Sequence, residues 1–171
     1  MSGVTIRRAG PGDVDFLAEL VAGEDVRPFL SARAELDRAS LAEEVARSER
    51  EPEQFGRFVI EVDGERAGAL GFHVANEPNR IARLERLAVH PGFRGRGVAD
   101  DASRQFQRLL LVELGFHRLE LEVYAFNERA LAHNERAGFV REGVKRRAYQ
   151  RNGEWVDAVM YALLREDLDA H

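Results

Sequence analysis

Residues 90–100 read HPGFRGRGVAD and combine three glycines with two arginines. The segment follows a predicted strand and precedes a helical pattern of apolar residues. The first amide groups of such a helix lack intrahelical partners, and together with the helix dipole they favour an anion. Glycine lets a ligand approach the backbone, and Arg94 and Arg96 would add charge-assisted hydrogen bonds to phosphate. The loop therefore predicts a site for a phosphate-bearing ligand, the alternative being a tight turn with solvated arginines.

Two common phosphate-binding patterns do not fit this loop. No lysine lies nearby, so the pattern G-x-x-x-x-G-K-[ST] is absent. The dinucleotide pattern G-x-G-x-x-G fails as well, because Asp100 stands where its third glycine should fall. What remains is the spacing Arg94-x-x-Gly97-x-Ala99. Asp100 and Asp101 suit the start of a helix, but they would lie close to a bound phosphate, where they would either weaken its binding or point away.

The elements around the loop follow from the periodicity of the apolar residues. VTIRRA predicts a first strand, Asp13 a helix N-cap, and Ser40 with Glu43 a capping box that begins a second helix. Asp-Gly at 63–64 and Asn-Gly at 152–153 predict hairpin turns. The order is β, α, α, β, β, β, α, β, α, β, β, which predicts a mixed α/β sheet domain with one βαβ crossover through the helix after the loop.

Two of the predicted elements have a definite inward face. Phe58, Ile60 and Val62 alternate along the second strand and should share one side of the sheet. The helix after the loop has apolar residues at helical spacing from Ala99 onwards, and Gly115 should end it.

The composition favours one globular domain over residues 1–171, with 44% hydrophobic residues. No apolar run is long enough to span a membrane and no secretion signal is visible, so we expect a cytoplasmic protein without a membrane partner. The lack of cysteine excludes disulfides and thiolate chemistry, and none of the five histidines falls in a metal-ligand spacing, so no metal is expected. The net charge of −5 argues against nucleic acid as a partner.

Acidic residues are concentrated in residues 24–53, which hold nine acids against five arginines. Such a segment is typical of a solvated helix face, and the alternative interpretation is a surface that attracts a cationic substrate.

Two motifs in the second half of the chain resemble those of one superfamily. The spacing Arg94-x-x-Gly97-x-Ala99 after a strand resembles the pyrophosphate-binding motif of the GCN5-related N-acetyltransferase (GNAT) superfamily. The segment NERALAHNERAGFVREG, residues 127–143, is similar to the asparagine-to-GF segment of that superfamily. The tail RRAYQRNGEWVDAVMYALLRED resembles the ribosomal-protein N-acetyltransferase branch.

The resemblance implies both a fold and a cosubstrate. The fold would be a single mixed, mostly antiparallel sheet of about seven strands with flanking helices, splayed between strands 4 and 5. The pantetheine arm of acetyl-CoA would lie in the gap, and its pyrophosphate would lie on the loop. The implied contacts are Leu87, Ala88 and Val89 for the arm, Arg94, Gly95, Arg96, Gly97, Val98 and Ala99 for the pyrophosphate, and Asn127 and Asn134 farther along. Asn127 is equally an ordinary N-cap for the helix that follows it.

The resemblance also implies candidates for the chemistry. Glu122 matches the general-base position of the ribosomal-protein acetyltransferases, and alternation places it on the face opposite to that of Leu119, Leu121 and Val123. The alternative is that this face of the strand is simply solvated. Glu85 is the rival on strand 4, where alternation puts it on the face of Leu87 and Val89; alternatively it pairs with Arg83 or Arg86. Without cysteine, the amine would attack acetyl-CoA directly in a ternary complex.

The main departure from the superfamily pattern is Asn134, which stands where many relatives carry a tyrosine that protonates the thiolate. An amide can hydrogen-bond sulfur but cannot act as an acid. Tyr124, Tyr149, water or His133 could replace it, although His133 fits a helix surface better.

The expected function is therefore acetyl-CoA-dependent N-acetylation of a primary amine. A protein N-terminus, a polyamine, an aminoglycoside-like compound and an amino-acid derivative all fit as acceptor, and a homodimer is left open. The alternative is a catalytically silent domain that binds acyl-CoA as a sensor.

Overall fold

The computed structural model describes residues 3–29 and 37–170. Within these residues the strands are β1 Val4–Arg8, β2 Phe55–Val62, β3 Glu65–Asn76, β4 Ile81–Val89, β5 Arg118–Tyr124, β6 Val140–Arg151 and β7 Glu154–Leu164. The α-helices are α1 Val14–Ala22, α2 Arg38–Arg50, α3 Val98–Arg108 and α4 Glu128–Arg136. The predicted order of elements is confirmed. No helix in the described ranges is long and apolar enough to cross a membrane.

All seven strands form one sheet in the order β1-β2-β3-β4-β5-β7-β6. Every neighbouring pair is antiparallel except β4 and β5, which are joined through the crossover helix α3 and run parallel. These two strands pair only between 81–83 and 118–120, although β4 continues to Val89 and β5 to Tyr124. The strands therefore part after three residues, and the predicted splay between strands 4 and 5 is confirmed.

The two faces of the sheet are covered by separate cores. Phe58, Phe72 and Phe106 belong to the larger core beneath α3, where the rings of Phe58 and Phe106 meet edge to face at 5.1 Å. Val59 points the other way, into the core formed with α1 and α2. Phe58 and Ile60 are buried in the α3 core with Val62 partly buried beside them, which confirms their predicted common face.

Asp13 is the N-cap residue of α1, as predicted, but its side chain does not cap the helix. Its buried carboxylate instead accepts hydrogen bonds from the amide of Gly10 and from the guanidinium groups of Arg7 and Arg66, at 2.7–2.9 Å. The hydrogen bonds from Arg7 are the largest cause that holds the pKa of Asp13 well below its usual range, so this carboxylate ties β1 to β3.

The capping box predicted at Ser40 is wrong, because α2 begins earlier, at Arg38. The N-cap is Asp37, whose carboxylate accepts a hydrogen bond of 2.8 Å from the Ser40 amide. Residues 30–36, which belong to the acidic segment 24–53, lie outside the described residues.

The helix after the glycine loop ends near its predicted position, but its last turn is π-helical and not α-helical. After Arg108 the chain continues as a π-helical turn, Leu109–Glu113, that keeps Leu110 and Leu111 buried. Gly115 then adopts φ 73°, in the left-handed region that favours glycine, and ends the helical stretch.

Candidate active site

A cleft of about 2000 Å³ opens where β4 and β5 part. It is lined by the end of β4, the start of α3 and the inner side of α4. The volume exceeds the roughly 300–1,000 Å³ of a pocket for one drug-sized ligand. The cleft therefore has room for an extended cosubstrate and an acceptor together.

A bulge in β4 shapes one wall of this cleft. Arg86 has a positive φ of 59°, and the register with β3 skips a residue beside it. Leu84 before the bulge and Val89 after it both pack into the α3 core, although strict alternation would place them on opposite faces. Glu85 lies on the other face, against Arg57 of β2, so the expectation that it shares a face with Val89 is wrong.

The glycine loop presents a bare backbone to the cleft. Gly95 and Gly97 have φ of 79° and 72°, and a Cβ added to either would meet no atom within 4 Å. Gly97 is the N-cap of α3 without a side-chain cap, and the first intrahelical bond runs from the Asp101 amide to the Gly97 carbonyl. The preceding amides are therefore available to an anion, as the motif predicts.

The two arginines of the loop differ in position. Arg94 lines the cleft, donates from Nε to the Val89 carbonyl at 3.2 Å, and has Nη1 3.6 Å from a carboxylate oxygen of Asp25. The guanidinium of Arg96 instead lies over the Phe93 ring at 5.5 Å, and Arg96 is not among the residues that line the cleft. Of the two loop arginines, Arg94 is therefore the one whose side chain is placed to contact a phosphate in the cleft.

The two asparagines on α4 face the same cleft. The side-chain oxygen of Asn127 accepts a hydrogen bond of 3.2 Å from the Ala130 amide, so Asn127 is the N-cap of α4. Its side-chain NH₂ is not used by that bond. Asn134 is only 7% exposed, and it lines the cleft.

Glu122 lies on β5 just beyond the last residue paired with β4. Its carboxylate contacts Arg83 at 2.8 Å and is also bonded to Lys145 and to the Tyr149 hydroxyl. Burial alone would raise the pKa of Glu122, but these hydrogen bonds outweigh it and lower the pKa to about 2. The core contains Leu119, Leu121 and Val123, which confirms the predicted alternation along β5.

Glu85 is held by a different set of partners from those expected. Its carboxylate lies 2.8 Å from Arg57 and 3.3 Å from the His73 ring, and not against Arg83 or Arg86. Burial opposes ionisation here too, but the hydrogen bond from His73 and the charge of Arg57 lower the pKa of Glu85 to about 2. Sequence reasoning missed these partners because they lie on β2 and β3, 28 and 12 residues before Glu85.

Arg86 and Arg57 meet a third carboxylate. Glu44 on α2 accepts from Arg57 at 3.0 Å and also pairs with Arg86. Burial opposes ionisation, but the hydrogen bonds from the two arginines lower the pKa of Glu44. The sequence did not predict these ion pairs, since the position of Glu44 along α2 is that of an ordinary exposed helix residue.

The candidates for the thiolate proton are differently placed. The Tyr149 hydroxyl donates to Glu122, which with burial raises the pKa of Tyr149 to about 12. Tyr124 lines the cleft and stacks on Phe126 at 5.4 Å. The surface position expected for His133 is wrong, because this residue is 8% exposed.

His133 has both ring nitrogens engaged. Nδ1 is 2.7 Å from the Asp100 carboxylate, and Nε2 is 3.0 Å from the Ser103 hydroxyl. Among the described residues, no group of three or more His, Asp or Glu side chains could hold a metal ion.

Comparison with known proteins gives the family of this chain. Residues 19–139 match the acetyltransferase (GNAT) family. Over 103 residues the chain is 30% identical to the spermidine N(1)-acetyltransferase of Escherichia coli (strain K12), covering 60% of this chain and 55% of that protein. Over 107 residues it is 31% identical to the L-amino acid N-acetyltransferase AaaT of the same organism, covering 62% and 66%. The matches thus span between about half and two thirds of these relatives.

A solved structure shows the same fold over nearly the whole chain. The ribosomal L7/L12 α-N-protein acetyltransferase RimL in complex with coenzyme A superposes with a TM-score of 0.83 at 20% identity, covering 95% of this chain and 94% of that one. The predicted fold is confirmed, while the acetyl-CoA cosubstrate, a single domain over 1–171 and a homodimer stay predictions. Because the family match covers most of its length, the chain belongs to the acetyltransferase (GNAT) family.

Proposed function

We propose that this protein transfers the acetyl group of acetyl-CoA directly to a primary amine on a small molecule or a protein N-terminus. The observation that carries the proposal is the gap between β4 and β5, which leads to the uncapped start of α3. A gap bounded by bare strand edge suits an extended amide-bearing arm, and an uncapped helix start suits a pyrophosphate.

The residues around the gap fit this cosubstrate. The open space at Gly95 and Gly97 admits phosphate oxygens close to the backbone, and Arg94 would clamp them. Leu87, Ala88 and Val89 line the cleft where the arm would pair with the strand edge. When bound, acetyl-CoA supplies an activated thioester, and the protein supplies position and charge.

Glu122 is the proposed partner of the attacking amine. A carboxylate with a pKa of about 2 stays ionised at neutral pH, so it is a weak base but a permanent negative charge. It would orient the amine, stabilise the positive charge that develops on nitrogen, and take the proton directly or through water. Glu85, with a similar pKa on the opposite strand, is the alternative for this role.

Asn134 would serve the leaving group. Asn134 lines the cleft, and its side-chain amide can donate a hydrogen bond to the thiolate sulfur. It carries no acidic proton, so the thiolate must take its proton from water or from Tyr124. His133 is a poor source, because both its ring nitrogens are engaged.

The charges on the floor of the cleft favour an acceptor of low positive charge. Ion pairs there join three carboxylates to three arginines, namely Glu44, Glu85 and Glu122 with Arg57, Arg83 and Arg86. Lys145, which does not line the cleft, also pairs with Glu122. A polyamine would have to compete with these cations for each carboxylate, leaving a cation unpaired. The names of the similar proteins cover spermidine, amino acids and a ribosomal protein, so the likeness alone does not choose among them.

A catalytically silent acyl-CoA sensor is the second candidate, favoured by Asn134 at the position of the tyrosine. The test is release of free thiol from acetyl-CoA across a panel of spermidine, amino-acid amides, free amino acids and short peptides. Turnover with at least one amine supports the transferase. Binding of CoA without thiol release for any amine supports the sensor, and absence of CoA binding contradicts both.

A further inference from the structure

A chain of three side chains connects the first turn of α3 to α4. The Asp100 carboxylate lies 2.7 Å from Nδ1 of His133, and Nε2 of His133 lies 3.0 Å from the hydroxyl of Ser103. His133 and Ser103 are each 8% exposed, whereas the Asp100 side chain is 32% exposed, so only the Asp100 end of this hydrogen-bonded set reaches water. Arg136, one turn farther along α4, reaches both oxygens of Asp100 at 3.4 Å.

The order Ser, His, Asp is that of a hydrolase triad, but its position does not suit a nucleophile. Asp100 and His133 line the cleft, whereas Ser103 does not. A serine that a substrate cannot reach forms no acyl intermediate, whatever hydrogen bond its hydroxyl makes. Any function of this hydrogen-bonded set of three side chains must therefore lie at Asp100, the member farthest from Ser103.

Asp100 occupies a position where a negative charge opposes the expected ligand. It is the third residue of α3, directly after the uncapped amides that would receive a pyrophosphate. A carboxylate suits a helix N-terminus for the same reason that a phosphate does, so a free Asp100 side chain would compete with the ligand and repel it. The next residue, Asp101, is instead paired with Arg104 on the same helix.

We propose that His133 is a positioning residue for cosubstrate binding: with Arg136, it holds the Asp100 carboxylate against α4 and away from the phosphates. Ser103 fixes the ring of His133 from the other side, so the imidazole keeps one orientation. This inference rests on the proposed placement of acetyl-CoA. It assigns to α4 a part in phosphate recognition without any contact between His133 and the ligand.

The test is a cycle of variants with CoA affinity as the readout, measured by calorimetry. His133→Phe fills a similar volume but releases Asp100, and the dissociation constant for CoA should rise about tenfold or more. Adding Asp100→Asn to His133→Phe removes the released charge and should return the constant to within about threefold of the wild type. Pantetheine, which has no phosphate, should bind all these variants equally.

Controls separate this role from packing and from net charge. His133→Gln keeps a donor and should lose less affinity than His133→Phe. Asp101→Asn in the His133→Phe background changes the net charge equally but should not restore affinity.

Failure of Asp100→Asn to restore CoA affinity, equal rescue by Asp101→Asn, or equal weakening of pantetheine would each overturn the inference. A wild-type protein that does not bind CoA would contradict the proposed function instead. Should His133→Phe not fold, the same comparison of Asp100→Asn with Asp101→Asn in His133→Gln decides the point.

Discussion

Glu122→Gln separates the two contributions that the Glu122 carboxylate makes, one to stability and one to turnover. The substitution keeps the shape of the side chain and removes its charge from the ion pairs with Arg83 and Lys145. The pKa of Glu122 falls from 4.5 to about 2 on folding, which corresponds to about 3 kcal/mol of stabilisation at neutral pH. For a chain of 171 residues, a loss of that size lowers the melting temperature by about 6–12 °C.

The sign of the pH dependence follows from the direction of the pKa change. Because the pKa is lower in the folded state, the stabilisation is fully present above about pH 4.5 and is lost as the pH falls towards 2. The difference between wild type and Glu122→Gln in urea unfolding should therefore be largest at pH 7 and small at pH 2–3.

Turnover should fall as well, by about 10²-fold at pH 7, the lower end for loss of a proton acceptor, because a carboxylate of such low pKa is a weak base. The defect should shrink at high pH, where the free amine is abundant, and CoA affinity should not change. Thiol release is measured at 15 °C, where both proteins are folded.

Glu85→Gln is the matched control, since the pKa of Glu85 is lowered equally and the expected stability loss is the same. It should keep most of its turnover. Loss of turnover in Glu85→Gln alone would place the proton acceptor on β4 and refute the reasoning. Normal turnover in both would mean that solvent takes the proton and that the protein acts by positioning the reactants.

Three further predictions concern the cosubstrate site and the fold. Arg94→Ala should weaken CoA by about 1–3 kcal/mol in calorimetry but leave pantetheine unchanged, and equal losses would mean that Arg94 does not contact phosphate. Gly97→Val should abolish CoA binding, whereas Gly64→Val, at a similar positive φ with equally open space, should lose only stability. Asp13→Asn should cost about 3 kcal/mol in urea unfolding at pH 7, because Arg7 and Arg66 lose their buried partner, and a loss below about 1 kcal/mol would contradict this.

The sequence predicted those parts of the fold that local pattern determines. The alternation along β5 placed Glu122 correctly, and the Asp63-Gly64 turn correctly predicted the hairpin in which Val62 lies opposite Glu65. Farther from the turn, a bulge between Ile60 and Glu61 shifts the register, and the sequence did not predict it. The face of Glu85 was predicted wrongly because a bulge breaks the period of two, and a positive φ at Arg86 has no sequence signal when the residue is not glycine.

Contacts between elements that are distant in the sequence could not be predicted either. His133 has the spacing of a helix-surface residue, and only the packing of α4 on α3 buries it beside Asp100. The same holds for Arg57, whose partners come from α2 and β4. Periodicity describes one element at a time, so it cannot predict which charges two elements bring together.

The bulge at Arg86 divides β4 into two stretches whose alternation is out of step. Leu84 faces the α3 core before the bulge; after it Val89 faces that core and Ala88 faces the core formed with α1 and α2. A deletion or insertion of one residue within this strand would move every following side chain to the other face of the sheet. Downstream of it, Val89 would turn out of the α3 core and Ala88 would turn into it, while the strand before it stayed in place. A change of the same length in the loop after Phe93 would leave the strand residues of both cores in place. The length of β4 is therefore fixed more tightly than the identity of most of its residues.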